Sequence, residues 1–129
     1  MLLGTTLSIA AAAALVNVWL ANRIGRIRHA EKISIGDGGN ELLARRIRAQ
    51  LNFAENVPLV LILIGAIELA GKGGAWLPLV GALFILARIA HGIGMDGALK
   101  WGRAAGTMAT MLIEVGMAIA AVLIAIQVV

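Results

Sequence analysis

Four long apolar stretches alternate with three shorter polar segments along the chain. The apolar stretches cover about residues 2–22, 40–70, 75–95 and 104–128. A helix needs roughly 20 mainly apolar residues to cross a bilayer, so each stretch is long enough to span one. The first stretch carries its arginines after the apolar part, opposite to the charge order of a signal peptide, and we expect it to be retained. The pattern predicts an all-α integral membrane protein with four transmembrane helices in one domain over residues 1–129.

The composition agrees with a membrane protein and removes several kinds of chemistry. Hydrophobic residues make up 60% of the chain, mean hydropathy is +0.93 and only 14% of residues are charged, whereas soluble domains carry about a quarter. Cysteine is absent, which excludes disulfides and a catalytic cysteine thiolate. Tyrosine is absent, and there are only two histidines. We therefore expect no transition-metal site.

The positive charges are distributed unevenly among the polar segments. Seven lysines and arginines lie in the first connection, counted over residues 22–49 to include the polar start of the second stretch, one (Lys72) lies in the second and two (Lys100 and Arg103) in the third. The positive-inside rule then places the first and third segments in the cytoplasm and both termini outside, in the periplasm if the membrane is a bacterial inner membrane. Basic residues beside a bilayer also explain the sequence pI of about 10.8 without nucleic acid. In the first segment, Gly36–Gly39 predicts a turn and Asn40 a helix cap.

A stripe of polar side chains opens the second apolar stretch. Arg45, Arg48, Asn52 and Glu55 are spaced i, i+3, i+7 and i+10, which places them within roughly 80° on one helix face. Pro58 follows, and then a fully apolar run. Charged and amide groups are costly in lipid and usually face a bundle interior, a partner or a ligand.

Further charges are predicted inside the membrane. Arg88 and Glu55 lie at similar predicted depths, so we hypothesise an ion pair between the third and second helices, since an isolated charge costs about 3 kcal/mol. His91 shares the face of Arg88. Glu114 has no obvious basic neighbour, and Glu68 is near enough to the outer end to reach the interface. The simpler alternative, that these groups only join helices together, remains open.

Close packing of a neighbouring helix against the start of the fourth stretch is also indicated. Gly102 and Gly106 form a small-xxx-small pattern that lets two helix backbones approach each other.

The polar residues converge near the cytoplasmic edge of the bilayer. Together they predict a cationic, hydrogen-bonding pocket beside apolar walls, which suits an anionic, peptide-like molecule and a lipophilic co-substrate dissolved in the membrane. The residues are Arg28, Arg48, Asn52, Glu55, Arg88, His91 and Arg103.

At these residues the sequence resembles the MAPEG family, the membrane-associated proteins in eicosanoid and glutathione metabolism, over nearly the whole chain. The resemblance lies in the motif Arg48-Ala-Gln-x-Asn52-x-x-Glu55-x-x-Pro58 at the start of the second span and in Arg88-Ile-Ala-His91 on the third. Gly36-Asp-Gly-Gly39 is similar to bacterial members of the microsomal glutathione transferase type.

This resemblance implies a homotrimer of four-helix protomers, with glutathione bound as co-substrate between subunits on the cytosolic side. Arg48, Asn52 and Glu55 would hold the glutathione backbone and its charged ends, and Arg88 would orient Glu55. His91 would contact the peptide. Two further residues have implied roles: Arg28 would reach a glutathione carboxylate from the neighbouring subunit, and Arg103 would activate the thiol, with Lys100 as the alternative.

The implied activity is that of a glutathione transferase or peroxidase acting on a lipophilic electrophile or hydroperoxide. A guanidinium stays charged and donates hydrogen bonds, so it can stabilise the thiolate, which is the nucleophile. Several eicosanoid-type members have tyrosines where this chain has Asn56 and Met95, which argues against a dedicated eicosanoid synthase. The alternative is a non-enzymatic membrane binding or scaffold protein that retains the MAPEG fold.

Overall fold

The chain forms a bundle of four antiparallel helices. The structure, a computed structural model, describes residues 2–129. The helices are α1 (Gly4–Glu31), α2 (Glu41–Leu69), α3 (Trp76–Met95) and α4 (Gly102–Ala125). All four are long and apolar enough to cross a membrane. The predicted fold class, an all-α multi-pass membrane protein with four spanning helices, is confirmed.

The first helix is longer than the sequence predicted. It continues past residue 22 to Glu31, so Arg23, Arg26 and Arg28 lie on the helix rather than in a connection. It ends at Lys32, which has a left-handed backbone (φ 54°) and donates its N–H to the carbonyl of Arg28. A helix can extend beyond the bilayer because water-exposed arginines are good helix formers.

The connection between α1 and α2 contains the turn and cap that the sequence predicted. Gly36, Gly38 and Gly39 all have positive φ, which glycine adopts without steric cost. The side chain of Asn40 accepts a hydrogen bond from the backbone N–H of Leu43 at 2.9 Å, so it caps the start of α2.

Helices α2 and α3 form the central pair of the bundle, and α1 and α4 lie on opposite sides without touching each other. Each helix turns one apolar stripe inward. On α2, for example, Phe53, Val57, Val60, Ile64 and Ile67 are buried at spacings of three and four residues, which place them on one helix face. Large apolar side chains also cover the outer surface of every helix, as expected where the solvent is lipid.

Glu68 joins the end of α2 to the start of α1. Its carboxylate accepts hydrogen bonds from the backbone N–H groups of Thr5 and Thr6, each at 2.8 Å, and from the Thr6 hydroxyl at 2.6 Å. Glu68 therefore caps a helix that has no side-chain cap of its own, and a negative charge is favourable at a helix N-terminus. The sequence had suggested only that Glu68 reaches the membrane interface.

Two glycines allow α3 and α4 to pack backbone to backbone; the sequence predicted a close helix contact at these glycines but did not identify the partner helix. Gly102 and Gly106 are both buried on the α4 face against α3. A Cβ atom at Gly106 would lie 2.5 Å from the carbonyl oxygen of Ala87 and 2.7 Å from Cβ of His91. Neither neighbour can move without shifting α3, so only glycine fits at this position.

Gly106→Ala is expected to destabilise the bundle by about 1–3 kcal/mol, because the added methyl group forces α3 and α4 apart. Gly116→Ala is the matched control: a Cβ there meets nothing within 4 Å, and alanine is the better helix former by roughly 0.5–1 kcal/mol. Thermal unfolding in detergent should show a lower midpoint for the first variant and an equal or higher midpoint for the second. Equal midpoints for both would contradict this description of the helix contact.

Candidate functional site

The polar residues gather at one end of the bundle, which we call the basic end. There α1 and α3 end and α2 and α4 begin. Nine of the eleven lysines and arginines belong to the two connections at this end or to the adjoining helix turns. They are Arg23, Arg26, Arg28, Lys32, Arg45, Arg46, Arg48, Lys100 and Arg103.

Arg88 lies inside the bundle and bridges two other helices. Its side chain comes from α3 and the residue is only 2% exposed. One guanidinium nitrogen, Nη1, donates to Oδ1 of Asn52 on α2 at 2.5 Å, and Nη2 donates to the carbonyl oxygen of Gly106 on α4 at 3.2 Å. Arg88 therefore fixes Asn52 and the first turns of α4 at one level of the bundle.

The ion pair predicted between Glu55 and Arg88 is not formed among residues 2–129. Arg88 bonds to Asn52, one turn nearer the basic end, whereas Glu55 is exposed on the outer surface of α2. Asn52 and Glu55 differ by about 60° around the helix axis. This difference turns the amide toward α3 and the carboxylate away from it.

The bond to Arg88 orients the Asn52 side chain. Because Oδ1 accepts from Arg88, the amide nitrogen of Asn52 remains available as a donor. The neighbouring Asn56 is buried and donates from its side-chain amide to the backbone carbonyl oxygen of Asn52 at 2.7 Å. The amide nitrogen of Asn56 therefore has its hydrogen-bond partner within α2, and the amide nitrogen of Asn52 is the donor that remains for a ligand.

His91 follows Arg88 by one helical turn and is also buried, at 5% exposure. Its backbone packs against Gly106 of α4. Asn52, Arg88 and His91 are therefore three predicted site residues that the protomer holds at its interior.

The charged residues Arg48, Glu55 and Arg103 lie instead on the outer surface. None of them has an ion pair among the described residues. Arg103 and Lys100 border a surface hollow of about 580 Å³ whose other lining includes Thr107, Met108 and Met111. This hollow combines cations with an apolar wall, but of the seven residues predicted to form the pocket only Arg103 lines it.

Arg28 turns toward its own connection. Its guanidinium donates to the carbonyl oxygen of Gly36 at 2.8 Å and to that of Ile33 at 3.4 Å. These bonds stabilise the loop after α1, and they leave the other guanidinium nitrogens of Arg28 without a partner in the described chain.

The basic end also contains a cluster of paired charges that was not predicted from the sequence. Asp96, just after α3, forms ion pairs with Arg23 of α1 and Arg46 of α2. Arg46 binds both carboxylate oxygens, at 3.2 and 3.1 Å, and also donates to the carbonyl oxygen of Arg23 at 2.9 Å. Arg23 donates to the Gly92 carbonyl oxygen at 3.1 Å and lies over the Trp19 ring, 4.6 Å from its centre.

We call Asp96, Arg23 and Arg46 the acid clasp. It joins α1, α2 and the end of α3, and it withdraws two arginines from ligand binding. The α3–α4 turn is further fixed because Gly94 packs directly on the backbone of Arg103. The only sequence signal for the clasp was Asp96 itself, the one acidic residue of the segment 96–103.

Residues 2–129 contain no group of three or more histidine, cysteine, aspartate or glutamate side chains that could hold a metal ion.

Four membrane-length helices with polar groups gathered at one end define a multi-pass integral membrane protein. The model of the MAPEG family matches residues 6–123 of the 129-residue chain. The chain therefore belongs to the MAPEG family. A search of curated proteins found no match.

Proposed function

We propose that the protein is a membrane-bound glutathione-dependent transferase or peroxidase that acts on lipophilic electrophiles. The observation that carries the proposal is the Arg88 bridge, which holds Asn52 of α2 at the level of Gly106 of α4, three residues after Arg103. The bridge holds the motif of residues 48–58 on α2 and the cationic start of α4 together at one end of the bundle. Family membership suggests the same class of activity.

Glutathione offers two carboxylates, one ammonium group and two amide bonds, and the basic end supplies partners for each. Arg48 suits a carboxylate, because a guanidinium can bind it with two parallel hydrogen bonds. Glu55 suits the ammonium group. The free amide donor of Asn52 suits a peptide carbonyl, and His91 lies one turn from the residue that orients it. Arg28 is proposed to bind the second carboxylate from a neighbouring subunit.

We propose that the protein is a homotrimer whose subunits cover the exposed polar groups. Arg48 and Glu55 lie on the outer surface of α2, and Asn17 lies on that of α1. Each charge costs about 3 kcal/mol if it faces lipid. A neighbouring subunit removes that cost and places glutathione at the subunit boundary.

The proposed chemistry depends on a thiolate held by Arg103. The thiol releases its proton to solvent, and the thiolate attacks the electrophile, forming a carbon–sulfur bond as the leaving group departs with its electron pair. With a hydroperoxide, the thiolate takes the terminal oxygen as the O–O bond breaks, giving a sulfenic acid and an alkoxide that is protonated to the alcohol. A second glutathione thiol then attacks the sulfenic acid, and disulfide and water are formed. The apolar wall formed by Met108 and Met111 suits a reactant that arrives through the lipid.

We also propose that the basic end faces the cytoplasm, which puts both termini outside, in the periplasm of a bacterium. The charge asymmetry supports this orientation, since the opposite end has Lys72 alone. Cytoplasmic glutathione would then reach the site directly.

The proposal is tested by titrating glutathione into the detergent-solubilised protein in a calorimeter and then adding a lipophilic aryl halide. A glutathione analogue with serine in place of cysteine is the control, since it binds by the same groups but cannot react. We expect saturable binding of both peptides and thioether formation only with glutathione. Absence of binding at millimolar glutathione would favour the non-enzymatic binding or scaffold protein.

A further inference from the structure

Glu114 is an intramembrane carboxyl group to which neither the fold nor the proposed site assigns a role. It lies on α4, two turns beyond Gly106 and hence about 12 Å deeper along the helix. Its Oε1 atom is buried and has no hydrogen-bond partner among residues 2–129. A carboxyl group in this position is costly and usually marks a function.

Two other buried polar atoms near the α3–α4 contact also lack a partner. They are Nε of Arg88 and Oγ1 of Thr110, and both residues are at most 2% exposed. Gly106, Thr110 and Glu114 are spaced by four residues, so they share one face of α4, the face that meets α3. Long side chains on a helix point back toward its N-terminus, which directs the Glu114 carboxyl group toward Thr110 and Arg88.

The positive charge of Arg88 requires a negative partner, and the other acidic side chains of the bundle are engaged or distant. Asp96 is held by two arginines, Glu68 by Thr5 and Thr6, and Glu55 faces outward. The remaining acids lie at the first connection, outside the bundle interior. Glu114, whose buried Oε1 has no partner among residues 2–129, is therefore the carboxyl group left to balance the charge of Arg88.

We propose that Glu114 is the membrane-embedded counter-ion of Arg88 and, through Arg88, a positioning residue for Asn52. A buried water needs two to four polar partners, and the three unpartnered atoms are enough to supply them. Such a water would join the carboxylate to Arg88 Nε and to the Thr110 hydroxyl. The counter-ion role stands on the geometry alone, whereas the effect on Asn52 rests on the proposed function.

The counter-ion role is tested by a double-mutant cycle on thermal unfolding in detergent. Arg88→Gln and Glu114→Gln each leave one buried charge uncompensated, and the double variant removes both. We expect the double variant to lose less stability than the sum of the two single losses. The control combines Arg88→Gln with Glu68→Gln. The Glu68 carboxylate caps the start of α1, so the stability losses of these two substitutions should be additive. Additive losses for Arg88 and Glu114 would overturn the proposal.

If Arg88→Gln does not yield folded protein, folding of the double variant supports the pair. The infrared difference spectrum between wild type and Glu114→Gln shows whether Glu114 is ionised, and it does not require any Arg88 variant. Loss of an ionised carboxylate band is expected. Loss of the C=O band of a protonated carboxyl group would overturn the proposal, because a neutral acid is not a counter-ion.

The positioning role is tested by glutathione affinity. Glu114→Gln should weaken glutathione binding about fivefold, which corresponds to the loss of one well-oriented hydrogen bond. In a protein that already carries Arg88→Gln, the same substitution should cause no further loss of affinity. Glu114→Asp should recover part of the affinity. Independent, additive effects would remove Glu114 from the positioning role. If wild type binds no glutathione, the proposed function fails while the unfolding cycle still decides the counter-ion role.

Discussion

Asp96→Ala is expected to lower the free energy of unfolding by about 3 kcal/mol. The change leaves Arg23 and Arg46 facing each other without the carboxylate that both bind. Their side chains are only 12% and 21% exposed, so water compensates poorly for the lost charge. Because the clasp joins three helices, amide hydrogen exchange should also rise around the α3–α4 turn.

The matched control is Glu41→Ala, which breaks the ion pair with Arg45 within the first turns of α2. Those side chains are 79% and 48% exposed, and an exposed pair of this kind contributes at most about 0.5 kcal/mol. Thermal unfolding of the two variants under one detergent condition measures the difference. Similar losses for both would mean that the clasp is an ordinary surface ion pair.

Arg103→Ala is expected to reduce turnover about a hundredfold at neutral pH, the usual effect of removing one group that stabilises a reacting anion. Without the guanidinium, the pKa of the bound glutathione thiol should rise toward that of the free thiol. Activity should therefore fall most at neutral pH and recover partly at higher pH, where the thiolate forms unaided. The measurement is the pH dependence of turnover with a lipophilic aryl halide.

Lys100→Ala is the control for that experiment, because Lys100 lies in the same surface hollow and carries the same charge. It should leave the pH profile in place and change mainly the glutathione concentration needed for half-maximal rate. An unchanged profile for Arg103→Ala together with a shifted one for Lys100→Ala would transfer the role to Lys100.

Much of the fold could be predicted because it depends on local patterns. Apolar runs of membrane length predict spanning helices, Asn40 is a cap by its residue type and place, and Gly102 with Gly106 predicts a close helix contact. The end of α1 could not be predicted in this way. Hydropathy detects the bilayer boundary, whereas the helix continues through Arg23, Arg26 and Arg28 as far as Glu31.

The sequence indicated which polar residues share a helix face, but not how those residues pair between helices. Helical spacing shows which residues share a face, yet it does not fix how one helix is rotated against the next. For that reason the sequence predicts a pair between Arg88 and Glu55, although Asn52 is the partner of Arg88. The acid clasp cannot be predicted for a related reason: Asp96 and Arg46 are 50 residues apart, and no local pattern links them.

The measurement that tests the central claim most directly is the ultraviolet absorbance of the thiolate when glutathione is added to the purified wild-type protein at neutral pH. If polar groups from several helices meet at the basic end to bind glutathione and hold its sulfur as an anion, the thiolate signal should rise and saturate in proportion to occupied sites. Binding of glutathione with no thiolate signal, or no binding at all, would contradict the account.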